Sequence, residues 1–261
     1  MIIATSISKG GQGKSFLAMQ IARALSEEYN LKVLAIDNDS QANLTSTFGI
    51  NEGEVPDICN TKSLYHGYQV TPVEIENIQV VASDATLDTV DEGSFDQCFT
   101  FADTLTHLSK SADVTLIDCP PSAGYLGWAP LLCAEAVLIP VLPEDFGFQG
   151  LNKFLGHLEK AKSPRLNPNL DILGIVINLF DSRRALHKEY ATRIREAHGD
   201  LVFDKTIGAR TAYAEAIAAR QGIERYAKKG TAVTEFSGFM DELVSKIIAK
   251  KKTTTPKEDA A

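Results

Sequence analysis

Cysteine is scarce in this sequence of 261 residues. There are four, Cys59, Cys98, Cys119 and Cys133. None stands in CxxC spacing and no histidine neighbours them at zinc-ligand spacing, which excludes a disulfide framework and a zinc module and favours reduced thiols in a cytoplasmic setting. Long apolar runs are absent too. The longest, such as 136–142, fall far short of the ~20 residues that span a bilayer. The amino terminus has no basic stretch leading into an apolar one, so it does not read as a secretory signal. No repeat of 20–50 residues is visible, and only the tail is low in complexity. Hydrophobic residues make up 44% and charged residues 23%. Those values exclude a mostly disordered or collagen-like chain and fit one large α/β domain or two small ones. Basic residues are short only in the first part. Residues 1–150 hold 6 basic and 20 acidic residues, a balance of −14, and residues 151–261 hold 20 and 14, a balance of +6. The net charge of −8 therefore hides a basic C-terminal half. Such asymmetry marks either a nucleic-acid surface or ordinary solvated helix faces.

What is present is an alternation of β-branched apolar runs with helical patterns. Strands are predicted at 2–6, 32–37, 78–82, 114–118, 136–142 and 172–178, and helices at 15–29, 95–109, 124–133, 146–162, 185–198, 211–220 and 234–250. Strands that are continuously apolar and separated by helices predict a parallel sheet covered on both faces. The expected fold class is α/β, a single doubly wound, mostly parallel sheet flanked by helices, with ligands at the C-terminal ends of the strands. Residues 51–96, rich in acids and turn formers, predict a peripheral excursion with a short helix near 61–67. Residues 1–250 are expected to form one domain and 251–261 a flexible basic and polar tail.

The first strand runs into Ser-Lys-Gly-Gly-Gln-Gly-Lys-Ser, residues 8–15, and then into an apolar helix. Strand, glycine loop and helix together are the context a phosphate site requires. Gly10, Gly11 and Gly13 let the backbone curl so that successive N–H groups face phosphate oxygens, and the helix N-terminus adds its dipole. Lys14 would reach the β- and γ-phosphates, and the Ser15 hydroxyl would bind Mg²⁺. Asp37 and Asp39 stand two apart at a strand end, so one can face a metal and the other an attacking water. Asp118 ends a second buried strand, where a carboxylate needs a partner and Mg²⁺ is the natural one.

The loop lacks the glycine at position 8 that GxxxxGK[ST] demands and instead matches the deviant form KGGxGK[ST], with Lys9 at its start. It resembles the ParA/MinD group of P-loop ATPases. Residues 33–45 resemble that group's strand ending in D-x-D-x-Q-x-N-x-T, and residues 114–122 its strand ending in D-x-P-P-S. Residues 136–141 with Gly150 and Leu151, residues 173–181, and Ala214-Glu-Ala216 have counterparts as well, so the chain is similar over most of its length to ParA/Soj-type partition ATPases. The resemblance implies ATP and Mg²⁺ as cofactors and a slow ATPase. It implies catalytic roles for Lys9, Lys14 and Asp39, with Asp39 on the water. Nucleotide binding falls to Lys9, Gly10, Gly11, Gln12, Gly13, Lys14, Ser15 and Phe16, with Asn178 on the adenine edge, and metal binding to Ser15, Asp37 and Asp118. Lys9 is expected to reach across an ATP-dependent homodimer to the partner's phosphates. Five departures stand out: Gln12 for the usual Val, Phe16 for a Thr, Ser40 for a frequent Pro, and Gly208 and Gly222 where Pro is frequent.

Further expectations follow from the resemblance. The ATP dimer binds DNA without sequence preference through the basic half, with Arg193, Arg195, Arg210, Arg220, Arg225, Lys228, Lys229 and Lys246 as candidate phosphate contacts. A ParB-like centromere-binding or cargo adaptor protein stimulates hydrolysis, and the cytoplasmic protein associates with the nucleoid when ATP-bound. No helix-turn-helix precedes the loop, so operator recognition by such a module is not expected. A MinD-like membrane-surface switch is the alternative, because Phe236, Phe239, Met240, Leu243, Val244, Ile247 and Ile248 form one apolar helical face followed by lysines. Such a stripe either lies in a headgroup layer or packs on its own domain, and the second is the expectation. A redox ATPase like the nitrogenase iron protein would need cluster cysteines, which Cys98 and Cys133 do not resemble. A metabolic ligase of the same group would need a substrate motif, and none is identifiable.

Overall fold

The computed structural model describes residues 1–51 and 55–254. In chain order its elements are β1 (Ile2–Thr5), α1 (Lys14–Glu27), β2 (Val33–Asp37), α2 (Asn43–Thr47), α3 (Thr61–Tyr65), β3 (Val73–Ile75), β4 (Ile78–Val81), α4 (Asp96–Leu108), β5 (Val114–Asp118), α5 (Tyr125–Cys133), β6 (Ala136–Val141), α6 (Asp145–Ala161), β7 (Asp171–Ile177), α7 (Ala185–His198), α8 (Thr211–Ala218), α9 (Ile223–Tyr226) and α10 (Thr231–Thr254). The seven strands form one sheet in the order β3-β4-β2-β5-β1-β6-β7. All neighbours are parallel except β3 and β4.

The central parallel strands β1, β2, β5 and β6 are buried on both faces, which is why they read as unbroken runs. Along β1, Ile2 and Ala4 enter one core and Ile3 the other, as the two-residue period requires. The first core is closed by Phe101 of α4, Leu126 of α5 and Leu151 and Phe154 of α6. The second is closed by Leu17 and Leu25 of α1 and by Phe236, Phe239 and Met240 of α10. Five of the residues of the α10 stripe, Phe236, Phe239, Met240, Leu243 and Ile247, are at most 3% exposed, and only Ile248 stands out at 48%. The face considered for a membrane surface is part of the core. Among the described residues, no helix is long and apolar enough to cross a membrane. The helix also runs on to Thr254, so residues 251–254, expected in the tail, are helical. Residues 255–261 lie outside the described residues.

Two local features differ from a simple reading of the chain. Strand β3 was not expected: its hairpin with β4 turns on Glu76 and Asn77, with Glu76 at φ 54 and no glycine to announce the turn. Pro130 sits inside α5, where it cannot donate to the Leu126 carbonyl. The Asn38 side chain does so instead at 2.7 Å, and its own oxygen accepts from the buried Tyr65 hydroxyl. The end of β2 is thereby fastened to α5 and α3.

The register places the site. Asp118 pairs with Thr5 on one side and Asp37 on the other, so three strands end level beneath the loop that leaves β1. Strand order reverses at β1, with β5 and β2 to one side and β6 and β7 to the other. That is the switch point at which open α/β sheets bind ligands.

Candidate active site

The loop from β1 to α1 has the shape its glycines predict. Gly11 and Gly13 take φ of 74° and 78°. At Gly13 a side chain is excluded twice over, since a Cβ would also stand 2.5 Å from the Asn178 Nδ2. Gly13 caps α1 with no side-chain hydrogen bond, and the first turn of α1 carries no acid. Its leading amides are therefore free for an anion. Lys14 is buried, and with Gly10, Gly11, Ser15, Asp39 and Gln41 it lines an open cavity of about 530 Å³. Phe16 lines it as well and meets Tyr213 of α8 edge-on, 5.0 Å between ring centres. A second cavity, of about 490 Å³, lies among Phe180, Asp181, Arg183, Ala209, Arg210 and Lys229. It has neither a glycine loop nor buried carboxylates.

Gln12, expected among the nucleotide-binding residues, makes two contacts to its own chain. Its Oε1 accepts from the Leu142 amide at 2.7 Å and its Nε2 donates to the Gly10 carbonyl at 3.3 Å. The loop is thus tied to the turn between β6 and α6. Asn178 is the residue expected on the adenine edge. It is wholly buried behind the loop, and its amide donates to the Gln12 carbonyl at 2.8 Å. In this structure it braces the loop from the back.

Three carboxylates face the loop, and they are not alike. Asp37 is fully buried, and its Oδ2 accepts from both the Thr45 amide and the Thr45 hydroxyl at 2.7 Å. Its Oδ1 accepts from the Asp39 amide at 3.2 Å. Burial pushes its carboxyl up to about 6 in spite of those donors. With both oxygens engaged, Asp37 braces the turn it ends. Asp118 is equally buried, and neither oxygen accepts a hydrogen bond of standard geometry. Burial, then the Asp37 charge, push its carboxyl well up, while the nearby Ser15 hydroxyl and Lys14 ammonium favour its charged form. A buried carboxylate without a donor, beside a hydroxyl, is a hard oxygen pair that fits Mg²⁺. No cluster of three metal-binding His, Cys, Asp or Glu side chains occurs among the described residues. Mg²⁺ needs none, since one or two protein oxygens and the substrate's phosphates suffice. Asp39, at the cavity wall, accepts from the Gln41 amide through Oδ1 at 3.0 Å.

Lys9 lies outside this cradle. It is exposed, and its ammonium sits 5.1 Å from the centre of the Phe146 ring on the neighbouring turn.

The candidate DNA contacts separate by partner. Arg195 donates to the Phe203 and Asp204 carbonyls and is a structural brace. Arg210 is held by Glu235, Arg225 by Glu76 and Arg193 by Glu189. Lys246 covers the Phe203 ring. The Arg220 guanidinium packs on Gly49, where a side chain would collide with it. Lys228 and Lys229 are exposed side by side just ahead of α10. Of the eight expected contacts, Arg195 is half-buried and tied to its own chain, and the two lysines are the most available.

Comparison with known proteins gives four results. The model of the AAA domain family AAA_31 matches residues 1–172. The chromosome partitioning protein ParA of Caulobacter vibrioides is 28% identical over 228 residues, which cover 82% of this chain and 83% of that protein. Among solved structures, a plasmid partition protein of Borrelia burgdorferi bound to AMPPNP superposes with a TM-score of 0.75 at 26% identity, over 95% of this chain and 98% of that one. Cobyrinic acid a,c-diamide synthase of Mycobacterium smegmatis, with ADP and magnesium bound, gives 0.71 at 25%, over 88% and 96%.

Proposed function

Since this chain belongs to the AAA_31 domain family and to the ParA-like P-loop ATPases within it, we propose that it is an ATP-timed switch that dimerises on ATP, binds DNA without sequence preference and moves a cargo. ATP and Mg²⁺ are its cofactors, as nucleotide and magnesium are in the solved relative. The observation that carries the reading is the division of labour between two lysines. Lys14 is buried inside the loop, where it holds the phosphates of its own nucleotide, and Lys9 is exposed at the rim. One buried cation serves a single subunit's nucleotide, and a second at the rim serves phosphates presented from outside, as in a face-to-face dimer.

The residues divide the reaction among them. The loop amides and the leading amides of α1 hold the β- and γ-phosphates, and Lys14 neutralises them. Ser15 and Asp118 hold the Mg²⁺, which supplies charge neutralisation on the transferring phosphoryl group when bound. Asp39 positions the attacking water and accepts its proton, and Asp37 keeps Asp39 in place through the Asp39 amide. Lys9 adds charge across the dimer in the transition state. One chain alone therefore turns over slowly. A ParB-like adaptor on the cargo stimulates hydrolysis, and hydrolysis dissolves the dimer.

The test is an electrophoretic shift with ADP, with ATP, and with ATP plus random competitor DNA, repeated at rising salt. Binding should require ATP, ignore sequence and weaken steeply with salt, because phosphate neutralisation releases counterions. Tight binding in ADP, or to one sequence only, refutes the reading. A ligase resembling the cobyrinic acid synthase would bind DNA in neither state.

A further inference from the structure

Phe146 stands in the first turn of α6 with 67% of its surface exposed. Its ring is nevertheless occupied, since the Lys9 ammonium lies 5.1 Å from its centre. The lysine is steered there from its base. Gly150, one turn further along α6, approaches so closely that a Cβ on it would stand 3.2 Å from the Lys9 Cβ. The stem of Lys9 therefore leaves the loop along the surface of α6, away from the cradle that Lys14 occupies. The turn beneath is fastened on both sides. Gln12 takes the Leu142 amide, and on the other side Glu144 meets His187 and Arg184 while Asp145 accepts from the Tyr190 hydroxyl. Residues 9 and 12 of the loop thus both rest on the β6–α6 turn.

An exposed lysine has four rotatable bonds and spreads its ammonium over a wide volume unless something holds it. The electron-rich face of an aromatic ring attracts a cation within about 6 Å of its centre. We propose that Phe146 is a positioning residue for Lys9, whose ring face holds the lysine ammonium at the rim of the phosphate loop, turned outward toward the phosphates of a nucleotide carried by a second copy of this chain. This rests on the reading that Lys9 acts across a dimer. Phe146 itself touches no phosphate. Its effect is to spare the lysine a search when the second copy arrives.

The test compares Phe146→Leu, Phe146→Tyr, Lys9→Ala and the double variant Lys9→Ala/Phe146→Leu by sedimentation equilibrium of the full chain with a non-hydrolysable ATP analogue and Mg²⁺. Leucine keeps an apolar side chain and removes the ring face, whereas tyrosine keeps the face. Removing an exposed cation–ring interaction weakens each lysine's contribution by about 2–5-fold. With two such lysines in a dimer, Phe146→Leu is expected to raise the dimer dissociation constant by roughly 4–25-fold. Phe146→Tyr should stay within about 2-fold of wild type, and the double variant should be no weaker than Lys9→Ala alone. Thermal melting without nucleotide should match wild type in both Phe146 variants, because the side chain is mostly exposed. The inference fails if Phe146→Leu dimerises as well as or better than wild type while Lys9→Ala does not, or if Phe146→Tyr is as weak as Phe146→Leu. It also fails if leucine weakens the Lys9→Ala protein by the same factor, which would mean that the ring packs against the partner directly. Where the Lys9→Ala dimer is too weak to measure, the contrast of leucine with tyrosine decides. If Lys9→Ala itself dimerises as wild type does, the cross-dimer reading falls, and this inference falls with it.

Discussion

Replacing Asp118 with asparagine separates stability from function at one atom. In the protein without nucleotide, Asp118 and Asp37 are wholly buried on paired strands. Burial first, and Asp118's repulsion by Asp37 second, push the Asp118 carboxyl well above the usual range, and burial takes Asp37 to about 6. A carboxyl whose proton is held more tightly in the folded state stabilises the fold below its ordinary value of 3.8. That contribution is lost as pH rises through the folded value. The nucleotide-free protein should therefore lose stability from about pH 4 upward, through about pH 6 for Asp37, with Asp118 acting in the same direction. For Asp37 alone, a rise of about two pH units is worth about 3 kcal/mol. Asp118 is raised as well and lacks the three donors that Asp37 has. Asparagine has nearly the same shape, carries no charge and can donate a hydrogen bond, so Asp118→Asn should stabilise the nucleotide-free protein by about 1–3 kcal/mol at pH 7.5. For a chain of this size that is a melting temperature higher by roughly 2–12 °C. The rise should shrink at pH 5.5, where the wild-type pair has taken up a proton. The same variant should lose the increment that Mg²⁺ adds to stabilisation by ATP, because Ser15 is left without its carboxylate companion. Melting curves at the two pH values, with ATP and with or without Mg²⁺, read all of this. A nucleotide-free variant that melts below wild type, or one that keeps the Mg²⁺ increment, refutes the reasoning.

Lys14→Ala should abolish nucleotide binding in calorimetric titration with ATP, because it removes the buried cation from the cradle, and normal affinity would remove the assignment of the loop. Asp39→Ala should bind ATP, release phosphate very slowly and accumulate as a dimer in light scattering, whereas unchanged turnover would move the water-positioning role elsewhere. Lys228→Ala/Lys229→Ala should weaken DNA binding equally for all sequences and lower the salt slope by about 1.8, near 0.9 for each phosphate no longer neutralised. Arg195→Ala should lower the melting temperature instead, since its guanidinium serves two carbonyls of its own chain.

The central parallel strands were legible because each is buried on both faces, and a run such as Val114–Asp118 has no other soluble use. The glycine loop was legible because Gly11 and Gly13 need a backbone other residues resist. Strand β3 was not, because its turn puts Glu76, an ordinary residue, at positive φ. The α10 stripe announced an apolar face but not what covers it. Partners distant in sequence were out of reach altogether. Arg225 meets Glu76 across 149 positions, and Arg210 meets Glu235 across 25, so a sum of charges counted both arginines as available. The contact of Asn178 with the Gln12 carbonyl, across 166 positions, was out of reach in the same way.

Two departures from the family pattern turn out to be connections. Gln12, in place of a valine, adds the hydrogen bond to Leu142 that a hydrocarbon side chain cannot make, and so joins the phosphate loop to the turn that carries Phe146. Phe16, in place of a threonine, reaches the Tyr213 ring. The Tyr213 hydroxyl is buried and donates to the Ala232 carbonyl at 2.9 Å, in the first turn of α10. Lys228 and Lys229 lie immediately ahead of that turn. The contacts therefore run without a gap from the helix that begins at Lys14, through two rings and one hydrogen bond, to the most available cations of the basic half. A threonine at 16 would leave the first of those contacts empty. In a protein proposed to bind DNA only with ATP, the substitution that looks least conservative is the one that links the first turn of α1, through Tyr213, to the helix that follows the lysines.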